Sequence, residues 1–226
     1  MKKELFISFL LMALTSCGGG GGDDAAQNSS MFNIDGVGRD RVAAGVRVVH
    51  GVIDGYPLQI SDETGVLYAP LRYSFTNYLE LSKKVQNINL EKYKTNEPVA
   101  FFSLDLSKQA RSSVLFCGSR ENRTLKTNFV THQSAAVDIV SFRVLHLLYG
   151  AGFLKTVVNG VEMNADFCNA SQYLSFSDSV LNVTISRLSD GRLIMQDTIN
   201  VQFGKSYSLI VSGDLEQDFK VKLAED

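Results

Sequence analysis

Val46-Arg47-Val48-Val49-His50 recurs 96 residues later as Phe142-Arg143-Val144-Leu145-His146. At an offset of 95 the correspondence continues, with Tyr78-Leu79-Glu80-Leu81-Ser82 against Tyr173-Leu174-Ser175-Phe176-Ser177. Val85, Asn87, Ile88 and Leu90 then meet Val180, Asn182, Val183 and Ile185. The run closes with Ser113-Val114-Leu115-Phe116-Cys117-Gly118 against Ser208-Leu209-Ile210-Val211-Ser212-Gly213. An almost constant offset held over this length reads as a duplication. The copies are expected at 42–132 and 137–226.

Each copy reads as β. Leu181, Val183 and Ile185 alternate with Asn182, Thr184 and Ser186, the period of a half-buried strand. Asn159-Gly160 and Asp190-Gly191 are hairpin turn signals, since both central positions of a type I′ turn need positive φ. Extra strands are expected at Leu125 to Val130 and Phe219 to Leu223. About seven short strands in each copy of roughly 90 residues predict an all-β chain of two tandem immunoglobulin-like β-sandwiches.

Composition agrees with a globular chain. Of 226 residues, 45% are hydrophobic and 20% charged, which excludes a mostly disordered protein. A formal net charge of −2 gives no basic excess and no expectation of nucleic acid.

The first residues carry an address. Lys2 and Lys3 precede a mostly apolar run, Leu5 to Leu14, suited to a signal peptide and too short to span a bilayer. The run ends in Leu14-Thr15-Ser16-Cys17, which resembles a bacterial lipobox. The resemblance implies cleavage after residue 16, diacylglycerol on Cys17 and acylation, as by palmitate, of the new amine. Several acyl chains anchor firmly, at roughly 0.8 kcal/mol per buried methylene. Residues 17–41, with Gly18 to Gly22 and little to bury, read as a flexible tether. Gly18 after the Cys, where an Asp would mark retention, implies by the same resemblance the outer membrane.

The opening strand with Arg-Val-x-His, the Asn-Gly hairpin, the Tyr-Leu strand and the strand closing on Gly resemble the bacterial family called domain of unknown function 4397. That resemblance covers nearly all of 42–226 and implies an exported protein, often lipidated, often with the domain in tandem. The first copy departs from it at Ser61-Asp62-Glu63-Thr64-Gly65, where the second has Asn159-Gly160. Both copies lack the family's usual Asp-Ala-Pro after the His.

Candidate chemistry is sparse. His50 shares a strand face with Val46 and Val48, and His146 with Phe142 and Val144, so both are expected in the core as neutral imidazoles bonded to backbone across the sandwich. His132 has no evident partner. Arg47 and Arg143 face the other way; either could pair with a carboxylate on a neighbouring strand, and the expectation is that they cover surface. No His/Cys spacing suits zinc, and no metal or other cofactor is expected. Asp214, Glu216 and Asp218 read as a solvated turn. No Gly-x-Ser-x-Gly elbow is present. Tyr149 and Phe153 lie in an unusually apolar loop that either binds a glycan or protein or packs on the first copy. Once Cys17 is lipidated, Cys117 and Cys168 remain, either as a bridge between the copies or as two buried thiols.

The expectation is a non-enzymatic envelope lipoprotein that binds or scaffolds, with the membrane and an envelope protein or glycan as partners. Its rivals are a hydrolase acting on envelope polymers and a small-ligand carrier.

Overall fold

The computed structural model describes residues 33–35, 45–81, 85–105 and 111–226, and everything described below belongs to these. Cys17, the apolar run before it and most of the tether lie outside them.

The first half holds β2 (Gly45–Val52), β3 (Leu58–Asp62), β4 (Gly65–Leu71), β5 (Val85–Lys92), β6 (Pro98–Asp105), β7 (Arg111–Gly118) and β8 (Lys126–Thr131). The second holds β9 (Val140–Tyr149), β10 (Leu154–Val158), β11 (Val161–Ala165), β14 (Val180–Arg187), β15 (Leu193–Asn200), β16 (Ser206–Asp214) and β17 (Phe219–Glu225). Two short strands, β12 (Asn169–Ala170) and β13 (Leu174–Phe176), pair with β9. Isolated bridges Val49–Phe75 and Val46–Leu79 occupy the same places beside β2.

Strand order repeats between the halves. One sheet of the first half runs β2-β7-β8 and the other β4-β3-β5-β6. In the second half the sheets contain β9-β16-β17 and β11-β10-β14-β15. The opening strand pairs in parallel with the sixth in both halves, β2 with β7 and β9 with β16. Each half thus sets two β-sheets face to face. Numbered within a half, the order is 1-6-7 over 3-2-4-5, whereas an immunoglobulin constant domain has 1-2-5-4 over 3-6-7. Local strand signals do not specify which strands pair, so the sequence did not distinguish these orders.

The four sheets stack in four layers. Val46, Val48, Val114 and Phe116 pack on Leu58, Ile60, Ile88 and Leu90 within the first sandwich. Phe142, Val144, Leu209 and Val211 pack on Leu154, Leu181, Val183 and Ile185 within the second. A third cluster, including Val49, Leu115, Leu145, Leu147 and Ile210, joins the two inner sheets. Inner strands are therefore covered on both faces. β2 is buried at every residue, which is why it reads Gly-Val-Arg-Val-Val-His-Gly-Val instead of alternating. β14, with one face in water, does alternate. The sandwiches approach closely: a Cβ on Gly51 would lie 2.7 Å from Leu147 Cδ2.

Two sequence expectations shift. Asn159-Gly160 closes a two-residue hairpin with φ of 46° and 84°. Asp190-Gly191 instead sits in a longer turn between Arg187 and Leu193, with only Gly191 at positive φ, because Arg187 O accepts from Gly191 N and closes a wider loop. Asn33–Asp35, expected in the tether, form β1, parallel to β17. Edge pairing uses backbone groups and needs no apolar side chain.

Cys117 and Cys168 are joined as a disulfide across a separation of 51 residues, inside the cluster between the inner sheets. It ties β7 of the first half to the segment before β12. The double variant Cys117→Ala/Cys168→Ala is expected to lose about 2–4 kcal/mol in urea unfolding. Wild type with reductant should unfold like the variant, and an unchanged midpoint in both would refute the stapling role.

Candidate functional site

The two matched histidines carry the same bonding pattern. His50 Nε2 meets Tyr56 O at 2.9 Å, and Val52 N donates to His50 Nδ1 at 3.3 Å. His146 Nε2 meets Gly152 O at 2.7 Å, and Leu148 N donates to His146 Nδ1 at 3.1 Å. A carbonyl only accepts, so Nε2 carries the proton and Nδ1 is bare. Burial lowers both from 6.5 to about 4, so both rings are neutral at pH 7. The sequence leads to an expectation of bonds across the sandwich, and the structure corrects this: both rings bond backbone close by in their own chain. Each reaches six residues along its own chain and fixes the loop leaving β2 or β9.

Arg47 and Arg143 are not on the surface. Each is 3% exposed, on the inner face of its sheet. Their neighbours Val49, Leu145 and Leu147 on that face signal this burial in retrospect, since a solvent-facing row would be polar. The two arginines meet one carboxylate, Asp226. Arg47 Nη1 is 2.9 Å from Asp226 Oδ1, and Arg143 Nε is 3.8 Å from Oδ2. Tyr173 Oη and Ser208 Oγ each donate to Oδ2 at 2.6 Å. Arg143 also donates from Nη1 to Thr131 O at 2.7 Å, and Arg47 from Nη2 to Glu225 O.

His132, which sequence left without a partner, belongs to the same cluster. Its Nδ1 lies 3.0 Å from Asp226 Oδ1 and its Nε2 2.8 Å from Ser113 Oγ. The cluster matches across the halves. Arg47 corresponds to Arg143, Tyr78 to Tyr173, Ser113 to Ser208, and His132 to Asp226 at the end of the last strand. His132 N bonds Arg111 O and Asp226 N bonds Ser206 O, the same contact in each half. The match is imperfect at one atom. Ser208 Oγ accepts from Arg143 Nε at 2.9 Å, while Ser113 Oγ is turned to His132 and Arg47 Nε has no partner among the described residues.

Electrostatics follow from burial. Burial pushes the Asp226 carboxyl up, but His132, then Arg143 and Arg47, outweigh it and hold it well below the carboxylate range. Asp226 is therefore ionised at pH 7. Burial lowers His132, against the Asp226 carboxylate, which raises it. Two guanidiniums against one carboxylate leave an excess positive charge. The ring of Tyr78 lies 4.5 Å from Arg47 Cζ and that of Tyr173 4.4 Å from Arg143 Cζ, and these π faces disperse it. Both phenols are raised, chiefly by burial, and stay protonated.

Ser113, His132 and Asp226 stand in the order of a hydrolase triad. Ser113 is fully buried, however, between the inner sheets. A substrate carbonyl has no approach to its Oγ in this arrangement, so the cluster serves to pair charges at the junction of the sandwiches.

The apolar loop divides. Leu148 and Ala151 enter the second core, and Leu147 enters the cluster facing the first half. The Tyr149 ring meets Phe167 edge-on at 6.1 Å, and Phe153 is 52% exposed. Asp214 Oδ1 accepts from Glu216 N at 3.0 Å, and Glu216 pairs with Arg192 at 2.6 Å. Among the described residues no cluster of His, Cys, Asp or Glu is placed to hold a metal. The first half also opens a cavity of about 240 Å³ at one end, walled by Tyr56, Val99 and Arg120 among others.

No family model and no curated protein matches the chain. Among solved structures it is similar to the module CBMbc of family CBM26 from Eubacterium rectale, in complex with maltoheptaose. Identity is 14% and the TM-score 0.27, over 78% of this chain and 95% of that one. A likeness of that degree carries no argument about a ligand.

Proposed function

We propose that this protein is a non-catalytic lipoprotein of the bacterial cell envelope, anchored through Cys17 at the outer membrane, that binds or scaffolds an envelope partner through two sandwiches held as one body. The observation that carries the reading is the Cys117–Cys168 bond between the inner sheets. Structural disulfides persist in exported compartments and are rare in the cytosol. The basic start, apolar run and Leu-Thr-Ser-Cys site agree with export. Its resemblance to the domain of unknown function 4397 family belongs to the same proposal.

A hydrolase is disfavoured by the sealing of Ser113. Matched His50 and His146 are equally committed, each to two backbone groups.

The anchor is tested by labelling. Cells expressing wild type should incorporate palmitate into the protein and carry it in the outer-membrane fraction. Cys17→Ala should leave unprocessed precursor without label. Equal labelling of the variant would end the anchor proposal. Crosslinking of intact cells followed by capture should then bring down an envelope protein or glycan, and capture of cytosolic components alone would end the envelope reading.

A further inference from the structure

The cavity in the first half lies between the β2–β3 connection, the β5–β6 turn and the β7–β8 turn. Val52, Leu58 and Phe116 form its floor and are 1–3% exposed. Tyr56 and Leu125 stand at its rim, 38% and 42% exposed. Lys92 and Arg120 stand at the mouth, with Lys92 Nζ 4.3 Å and Arg120 Cζ 4.4 Å from the Tyr56 ring centroid.

The opening does not come with the fold. The second sandwich has the same strands in the same order. The positions matching Val52, Gly55, Leu58 and Phe116 are Leu148, Ala151, Leu154 and Val211, all in its core. Ninety-five residues after Arg120 stands Leu215, 3% exposed and part of that core. One half fills the site with a leucine. The other places a guanidinium there, beside the cavity.

The charges around the mouth are unevenly committed. Lys92 Nζ bonds Glu97 Oε2 at 2.5 Å. The Asp54 carboxylate already accepts from Ser119 Oγ at 3.0 Å, Arg120 N at 2.6 Å and Glu121 N at 2.7 Å. Those bonds hold its pKa down, against burial that raises it. The Arg120 guanidinium meets the ring and hydroxyl of Tyr56, and among the described residues no carboxylate is seated on it. A guanidinium presents paired donors that match a carboxylate. An apolar floor cannot satisfy hydroxyl groups, and it does accept methylenes. At ~30 Å³ per water-sized group, the cavity holds roughly eight such groups, fewer than a drug-sized site.

From this we infer that the first sandwich binds a small aliphatic carboxylate of about eight carbons, its chain against Pro98, Val99 and Leu125 and its carboxylate on Arg120. The inference deepens the reading of the chain as a binding protein and rests on it.

The test uses residues 17–226 with Cys17→Ser, which keeps every described residue and removes only the proposed anchor. Isothermal titration with octanoate should show saturable binding at one site. Octyltrimethylammonium, with the same chain length and opposite charge, should not bind. Arg120→Leu, which copies Leu215, should abolish octanoate binding without lowering the melting temperature. Arg120→Gln leaves the cavity open and should weaken binding about tenfold or more. Absence of saturable octanoate binding, equal binding of the ammonium, or undiminished binding by Arg120→Leu would each overturn the inference. None of these results touches palmitate labelling or envelope capture, so a failure here is distinct from a failure of the wider reading.

Discussion

Acidifying this protein from pH 7 to pH 4 is expected to cost on the order of 6 kcal/mol of folding stability, about 3 from each of His50 and His146. Burial lowers both imidazoles from 6.5 to about 4 in the folded chain. Between those values the unfolded chain binds protons that the folded chain refuses, so stability rises with pH across that window. It is fully present above pH 6.5 and is lost as pH falls to 4. Protonating either ring would place a donor at Nδ1 against the N–H of Val52 or Leu148, where an acceptor is needed. Urea midpoints at pH 7, 5.5 and 4 measure the effect. Asn preserves an acceptor near the Nδ1 position and has no titration. The double variant His50→Asn/His146→Asn should be weaker at pH 7, by about 1–3 kcal/mol per site, yet lose much less on acidification. A wild-type midpoint that stays level from pH 7 to 4 would refute the neutral-imidazole account.

Asp226→Ala is the substitution expected to do the most damage, about 3–5 kcal/mol at neutral pH. It leaves two buried guanidiniums without an anion and orphans the hydroxyls of Tyr173 and Ser208. Asp226→Asn keeps an acceptor for those hydroxyls and should recover part of the loss while leaving the charge unbalanced. The folded Asp226 carboxyl lies below its ordinary value. Its contribution is therefore present above pH 3.8 and fades as pH drops further, so wild type and variant should converge in strong acid. Denaturant unfolding of the three proteins checks this. An Ala variant within about 1 kcal/mol of wild type would mean that the carboxylate does not hold the halves together.

What could be read from sequence were features set by neighbours along the chain. The alternation of β14 lies between one core and water, and period 2 exposes it. The Asn159-Gly160 turn needs only its own two φ angles. The core placement of His50 and His146 follows from the residues two and four positions before them. The site was less legible because its surroundings come from the other half of the chain. Arg47 looks solvent-facing until the second inner sheet is laid on it. His132 and Asp226 stand 94 residues apart, in different residue types, with nothing local to link them. The cavity by Arg120 stands out only when Leu215 is seen to enter the core at the matching place. Strand order was hidden for the same reason, since pairing β2 with β7 is a long-range choice.

The pairing of His132 with Asp226 bears on how such a molecule can arise. Two separate identical subunits meeting about a twofold axis would put like against like at that position. Asp against Asp would force two carboxylates into one dry site, where one must take up a proton. His against His would leave both guanidiniums with no anion at all. Within one chain the two matched positions can differ, His132 in one half and Asp226 in the other. Covalent fusion thus does more here than raise local concentration. It permits a contact in which one carboxylate serves two guanidiniums, an arrangement that exact symmetry forbids.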